Sequence, residues 1–153
     1  MEEEELQTVG LGIGWSELRA GQRFRTVGRT ITETDLINFI SNTGMVEALF
    51  TNADGGRARL VPAALIYALS EGLLIQAMLQ GVGVAFLNME MDIKGPTHVG
   101  DTIHVECEVI ECRASKGRPG LGLVRTRNQV VKQDGSVVIV YTPLRLLKGR
   151  AAE

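Results

Sequence analysis

Carboxylates set among apolar neighbours are the groups in this chain that could move protons. Glu47 stands between Met45, Val46, Ala48, Leu49 and Phe50. If those neighbours keep water away, desolvation raises its pKa and makes it a candidate general acid or base; the other reading is a surface glutamate on a half-buried turn. Glu71 is a second carboxylate, inside the long apolar run of residues 62–80. Arg57 and Arg59, beyond the Asp54-Gly55-Gly56 turn, either meet a phosphate or carry solvated charge. Arg113, Lys116 and Arg118 gather beside Pro119 and Gly120 as a further anion candidate. His98 and His104 lack a third ligand at usable spacing, so no metal site is expected. Asp35 reads as a capping carboxylate. Gly10, Gly12 and Gly14 lack the preceding apolar strand that a phosphate loop needs, and read as a turn.

These residues need a scaffold, and the scaffold centres on residues 62–80, PAALIYALSEGLLIQAMLQ, closed by Gly81. Apolar residues at nearly every position predict a helix buried on almost all sides, with Pro62 at its first turn. Its length, roughly 28 Å at the α-helical rise, approaches a bilayer core. Ser70, Glu71 and Gln76 in its interior argue against a membrane span. Upstream, residues 22–30 alternate like a first strand. Thr32 and Asp35 form a capping box that opens a helix ending at Asn42 to Gly44. Downstream, residues 85–93 and 103–109 alternate apolar and polar with period two. Asp134-Gly135 marks a hairpin between two further strands. The order of elements predicts an α+β domain: an antiparallel sheet with one helix on its concave face.

Composition narrows the partners. The chain has 153 residues, a net charge of −2 and 5% aromatic residues, which fits one domain and gives nucleic acid neither a basic stripe nor a stacking surface. Cys107 and Cys112, five apart on one expected strand, should point to opposite faces, as two reduced thiols rather than a bridge. The acidic MEEEEL start is unlike a secretory leader, and a cytoplasmic location is expected. Residues 1–21 read as a tail and lead-in loop, 22–148 as the domain, and 149–153 as a C-terminal tail.

Four stretches together resemble the MaoC-like hot-dog family of acyl-CoA hydratases and dehydratases: ITETDLINFISNTG, LVPAALIYALSEGLL, KGPTHVGDTIHVECEVIECR, and SKGRPGLGLVRTRNQVVKQDGSVVIVYTPLRLL. KGPTHVGDT is similar to the family's P-x-x-x-G-D turn, and KGRPGLG to its Pro-Gly insert. The resemblance implies a five- to six-stranded antiparallel sheet wrapped around one long central helix. It also implies dimers joined edge to edge, and a coenzyme A thioester as substrate or ligand at the dimer interface, with no other cofactor. Arg113, Lys116 and Arg118 then become candidates for the CoA phosphates.

The family's D-x-N-P-x-H motif is where this chain departs. Counting from Thr43-Gly44, Met45 falls at the Asp, Glu47 at the Asn, Ala48 at the Pro and Phe50 at the His. Neither Met nor Phe can activate water or protonate a carbon. The family's His-Gly at the start of the long helix reads Pro62-Ala63, yet the amides of Ala63 and Ala64 could still polarise a thioester carbonyl. Three readings follow: an enzyme using Glu47 as general acid/base; a silent subunit or binding module that pairs with an active hot-dog partner, with Met45 and Phe50 filling the emptied site; and a thioesterase using Glu71. In the first and third a homodimer or higher homo-oligomer is expected.

Overall fold

Thr32 opens the first long helix, α1 (Glu33–Thr43), by reciprocal bonds: its hydroxyl accepts from the Asp35 amide while the Asp35 carboxylate accepts from the Thr32 amide. Gly44 ends it at φ +75°, a conformation that favours glycine. The computed structural model describes residues 6–52 and 58–151. The Asp54-Gly55-Gly56 turn and Arg57 lie outside the described residues. A four-residue helix, α2 (Ala48–Thr51), follows, and then the central helix α3 (Ala63–Leu74).

Two features of the central helix differ from the expectation. Pro62 is its N-cap rather than its first helical residue, and after Leu74 the chain passes into a π-helical turn, Ile75–Leu79. Around that turn the Ile13 amide donates to the Met78 carbonyl and the Gly12 amide to the Gln80 carbonyl. A Cβ on Gly12 would collide with the Met78 carbonyl, so this approach needs glycine there. Nor is the helix buried all round. Leu65, Ile66, Leu73, Leu74 and Met78 face inward, while Ala64, Ala68, Ile75, Gln76 and Ala77 are exposed along the other side.

Eight antiparallel strands make one sheet. β1 (Arg23–Arg25) and β2 (Arg29–Thr30) both pair with β5 (Thr102–Ala114). The single strand expected over residues 22–30 is thus broken at Thr26, Val27 and Gly28. β5 pairs along its length with β6 (Leu121–Lys132). β6 then pairs with β7 (Val137–Tyr141) over one half and β8 (Leu144–Lys148) over the other. β3 (Gly83–Asn88) lines the outside of β8, and β4 (Met91–Ile93) the outside of β7. Because β1/β2, β3/β4 and β7/β8 are each one interrupted ribbon, the sheet is five ribbons wide, in the order β1/β2, β5, β6, β7/β8, β3/β4. The last of these is an edge, and its Val84, Phe86, Leu87 and Ile93 are exposed instead of showing one dry and one wet face.

The core lies between α3 and the sheet. Leu65, Ile66, Leu73 and Leu74 pack with Ile103, Val105, Val130 and Ile139. Each such side chain stabilises the fold by about 1.5–3 kcal/mol when fully buried. A second cluster, Leu18, Val82, Val109, Val124 and Leu147, closes the other end under Trp15. Cys107 sits in the first cluster and Cys112 packs against the second. A register shift between Val109 and Glu111 turns Cys112 back toward the core, so the two thiols do not point to opposite faces. Both are free, and burial pushes the Cys107 thiol up to about 11.

Candidate functional site

The start of α3 borders an apolar cavity of about 290 Å³. Phe50 from α2 forms part of its wall, with Leu60, Val61, Pro62, Ala63 and Ile66 from the helix entry, and Ile93, Thr97 and Ile139 from the sheet side. The entry is held in place by backbone pairing: the Val61 amide donates to the Thr97 carbonyl, and the Val99 amide to the Arg59 carbonyl. The first helical bonds run from Leu65 and Ile66 to the Pro62 carbonyl. Among the described residues, the amides of Ala63 and Ala64 therefore have no partner, as the first turn of a helix without a side-chain cap requires. An apolar cavity beside two free donors at a helix N-terminus can hold an acyl chain and face its carbonyl oxygen.

Phe50 and Ala63 are thus brought together at this cavity. Met45 is half-buried and does not line it; its amide donates to the Thr43 hydroxyl at 3.4 Å. Glu47 is the N-cap of α2, where its carbonyl accepts from the Phe50 and Thr51 amides. Its side chain makes no capping bond and is exposed, with Val46 and Leu49 beside it 68% and 56% exposed. The dry setting on which an acid/base role depends is absent around Glu47 in the single chain. Arg59 is spoken for: it pairs with Glu33 of α1 and donates to the Thr51 carbonyl, fastening α2 to α1.

Glu71 has a different surrounding from either sequence reading. It is neither the solvent-facing residue of the helix nor a free carboxylate. Its oxygens accept from Arg145 Nη2 at 2.6 and 2.8 Å and from the Tyr141 hydroxyl at 2.9 Å. The Glu71 and Arg145 side chains are only 16% and 13% exposed. Arg145 also lies over the Phe86 ring, 4.8 Å from its centroid, and Tyr67 meets Tyr141 edge-on at 5.3 Å. Burial and the adjacent Glu71 carboxylate drive the Tyr141 phenol far above its usual range, so it stays protonated and donates. Among the described residues, the fully buried Asn128, next to Tyr141 in the β6–β7 register, finds no hydrogen-bond partner for either amide atom. The sequence did not show this cluster, because its members come from α3 and from β3, β6, β7 and β8, and the helix residues lie far along the chain from Tyr141 and Arg145.

Arg113, Lys116 and Arg118 occupy the tip of the β5–β6 hairpin. Arg113 pairs with Glu111, and all three are exposed. The cavity lies near the opposite end of β5, and thirteen residues of strand at roughly 3.3 Å each keep the two apart within one chain. His98 and His104 are separate: the His98 amide donates to Asp101, and His104 Nε2 lies 3.2 Å from Glu106. Among the described residues no group of three or more His, Cys, Asp or Glu side chains could hold a metal ion, and no helix is long and apolar enough to cross a membrane.

A sheet curled on one long helix, with a cavity at the helix N-terminus, is the hot-dog fold, and it is the fold of MaoC-like dehydratases and R-hydratases. The chain superposes on a MaoC-like dehydratase from Rhodospirillum rubrum with a TM-score of 0.75 and 25% identity, covering 92% of this chain and 100% of that one. An unliganded R-hydratase from Pseudomonas aeruginosa gives 0.69 at 23% identity, covering 90% and 86%. A conserved hypothetical protein from Mycobacterium tuberculosis with a double hot-dog fold gives 0.81 at 23%, covering 94% of this chain but 46% of that one. No protein-family profile matches the chain, and no curated protein matches it by sequence.

Proposed function

We propose that this protein binds acyl-CoA thioesters, with the acyl group in the α3 cavity and the thioester carbonyl facing the Ala63 and Ala64 amides, and that it has lost the hydratase chemistry of its fold relatives. The observation that carries this is Phe50. The side chain standing where the family motif has a histidine is a wall of the apolar cavity, and among the described residues no proton carrier lines it. Glu47 is exposed, and Glu71 is engaged by Arg145 and Tyr141. Neither is free and dry, as a base acting on a bound thioester should be.

The test is to titrate the protein with crotonyl-CoA and with free CoA while following enoyl absorbance and free thiol. The expected result is saturable binding, tighter for the thioester, with neither signal changing. Loss of enoyl absorbance that disappears in Glu47→Gln would reinstate a hydratase. Thiol release that disappears in Glu71→Gln would reinstate a thioesterase.

A second reading concerns assembly. The exposed apolar edge β3/β4 and the exposed small-residue side of α3 suit a second hot-dog unit. The fit to one half of a double hot-dog chain supports pairing with another such unit, either a second copy or a catalytically active subunit. Light scattering at micromolar concentration separates these: a stable homodimer favours the first, a monomer the second.

A further inference from the structure

The cavity at the start of α3 has a size as well as a chemistry, and Phe50 is part of its wall. From this geometry we infer that Phe50 is the specificity-determining residue for acyl length and confines the protein to short and medium-chain thioesters. This rests on the reading of the cavity as the acyl site.

A volume of about 290 Å³ lies at the small end of ligand cavities, which run to roughly 1,000 Å³. It equals about ten water-sized volumes of roughly 30 Å³ each, a methylene being of similar size. Allowing for the thioester carbonyl and for packing that falls short of complete, it takes an acyl group of roughly six to eight carbons. The side that could be opened is limited. Ile66 and Ile139 are about 1% exposed and belong to the main core, so that part of the wall cannot give way without unpacking the fold, whereas Ile93 at the sheet edge is 53% exposed. Phe50 is different: it is half-buried, it sits on a helix of only four residues, and it belongs to neither core cluster. With Leu49, which lines the cavity from the same short helix, its ring forms the boundary that is not locked into the core. A small side chain at position 50 would enlarge the cavity beside Leu49, which already lines it and is 56% exposed.

The experiment measures dissociation constants, below micellar concentrations, for free CoA and for saturated acyl-CoA thioesters from two to sixteen carbons. These are compared among the wild type, Phe50→Ala, and the milder Phe50→Leu, each checked for a cooperative unfolding transition. In the wild type, affinity should rise about fourfold per methylene, then stop rising near eight carbons. In Phe50→Ala the break should move to longer chains, and in Phe50→Leu it should move less far. Affinity that climbs unbroken to sixteen carbons, or a break that stays at the same length in both variants, overturns the inference while leaving acyl-CoA binding standing. If no thioester binds more tightly than free CoA, the acyl-site reading itself fails and the inference falls with it.

Discussion

Replacing Arg145 by leucine withdraws the cation that faces Glu71 and leaves its carboxylate between α3 and the sheet with, among the described residues, only the Tyr141 hydroxyl as donor. Removing one partner of a fully buried ion pair costs about 3–5 kcal/mol, because the remaining charge is uncompensated. Here the two side chains keep 16% and 13% of their exposure and one hydrogen bond survives, which brings the expectation to about 2–4 kcal/mol. For a domain of 153 residues that is a fall in Tm of roughly 5–15 °C. The pair is best isolated by a double-mutant cycle with Glu71→Leu, all variants being held at one protein concentration because association would shift the midpoints. Glu71→Leu alone strands the guanidinium and takes away the phenol's acceptor. The double variant loses both charges together, and should be less destabilised than the two single costs summed, by about 1–3 kcal/mol. Urea unfolding followed by the fluorescence of Trp15 and by circular dichroism reads these differences. A cost below about 1 kcal/mol for Arg145→Leu, or single effects that simply add, would refute the claim that this ion pair joins the helix to the sheet.

Three further expectations follow from single contacts. Burial on its own would raise the Asp101 carboxyl, but hydrogen bonds from Gln133, the His98 amide and Lys132 outweigh it and hold the group below the usual carboxylate range. A depressed folded-state pKa gives stability that is present above the unfolded value near 4 and is lost as pH falls through the folded value. Asp101→Asn should accordingly cost about 1 kcal/mol at neutral pH, with the gap to wild type closing in acid; a gap that is constant across the acid limb of a pH–stability profile would contradict it. Gly122→Ala would drive a Cβ into the Trp15 ring, whose Nε1 donates to the Gly120 carbonyl at 3.1 Å. A loss of about 1–3 kcal/mol and a shifted emission spectrum are expected, and Trp15 is the chain's single tryptophan. Thr32→Ala removes half of the α1 capping box and should cost about 1 kcal/mol in thermal melts, with Thr32→Ser restoring most of it.

What could be read from residues alone was whatever neighbouring residues decide between themselves. The Thr32–Asp35 box and the Asp134–Gly135 turn, with Gly135 at φ +85°, were legible because their partners are within a few positions. The apolar run of residues 62–80 correctly marked the centre of the fold, but not which of its sides would stay uncovered. That depends on where the sheet stops. The alternation of residues 85–93 misled for the same reason, since β3 and β4 have a neighbouring strand on one side only. The π turn was out of reach because Gly12 and Ile13, which bond to carbonyls at its end, lie far upstream. Glu71 could be seen as a break in an apolar run, and Phe50 as a departure from a motif. Their surroundings, Arg145 with Tyr141 in one case and a walled cavity in the other, exist only once distant segments have met.

The order of the strands also shapes how the molecule comes into being. Arg23 waits for Glu108 and Arg29 for Ile103, so the first third of the chain leaves the ribosome long before its pairing partners have been made. The meander β5–β6–β7, in contrast, is contiguous along the chain and closes through two hairpins. Contacts so distant along the chain assemble slowly. During synthesis the inward side of α3 stands bare until that meander arrives, because Leu65, Ile66, Leu73 and Leu74 find their cover in Ile103, Val105, Val130 and Ile139.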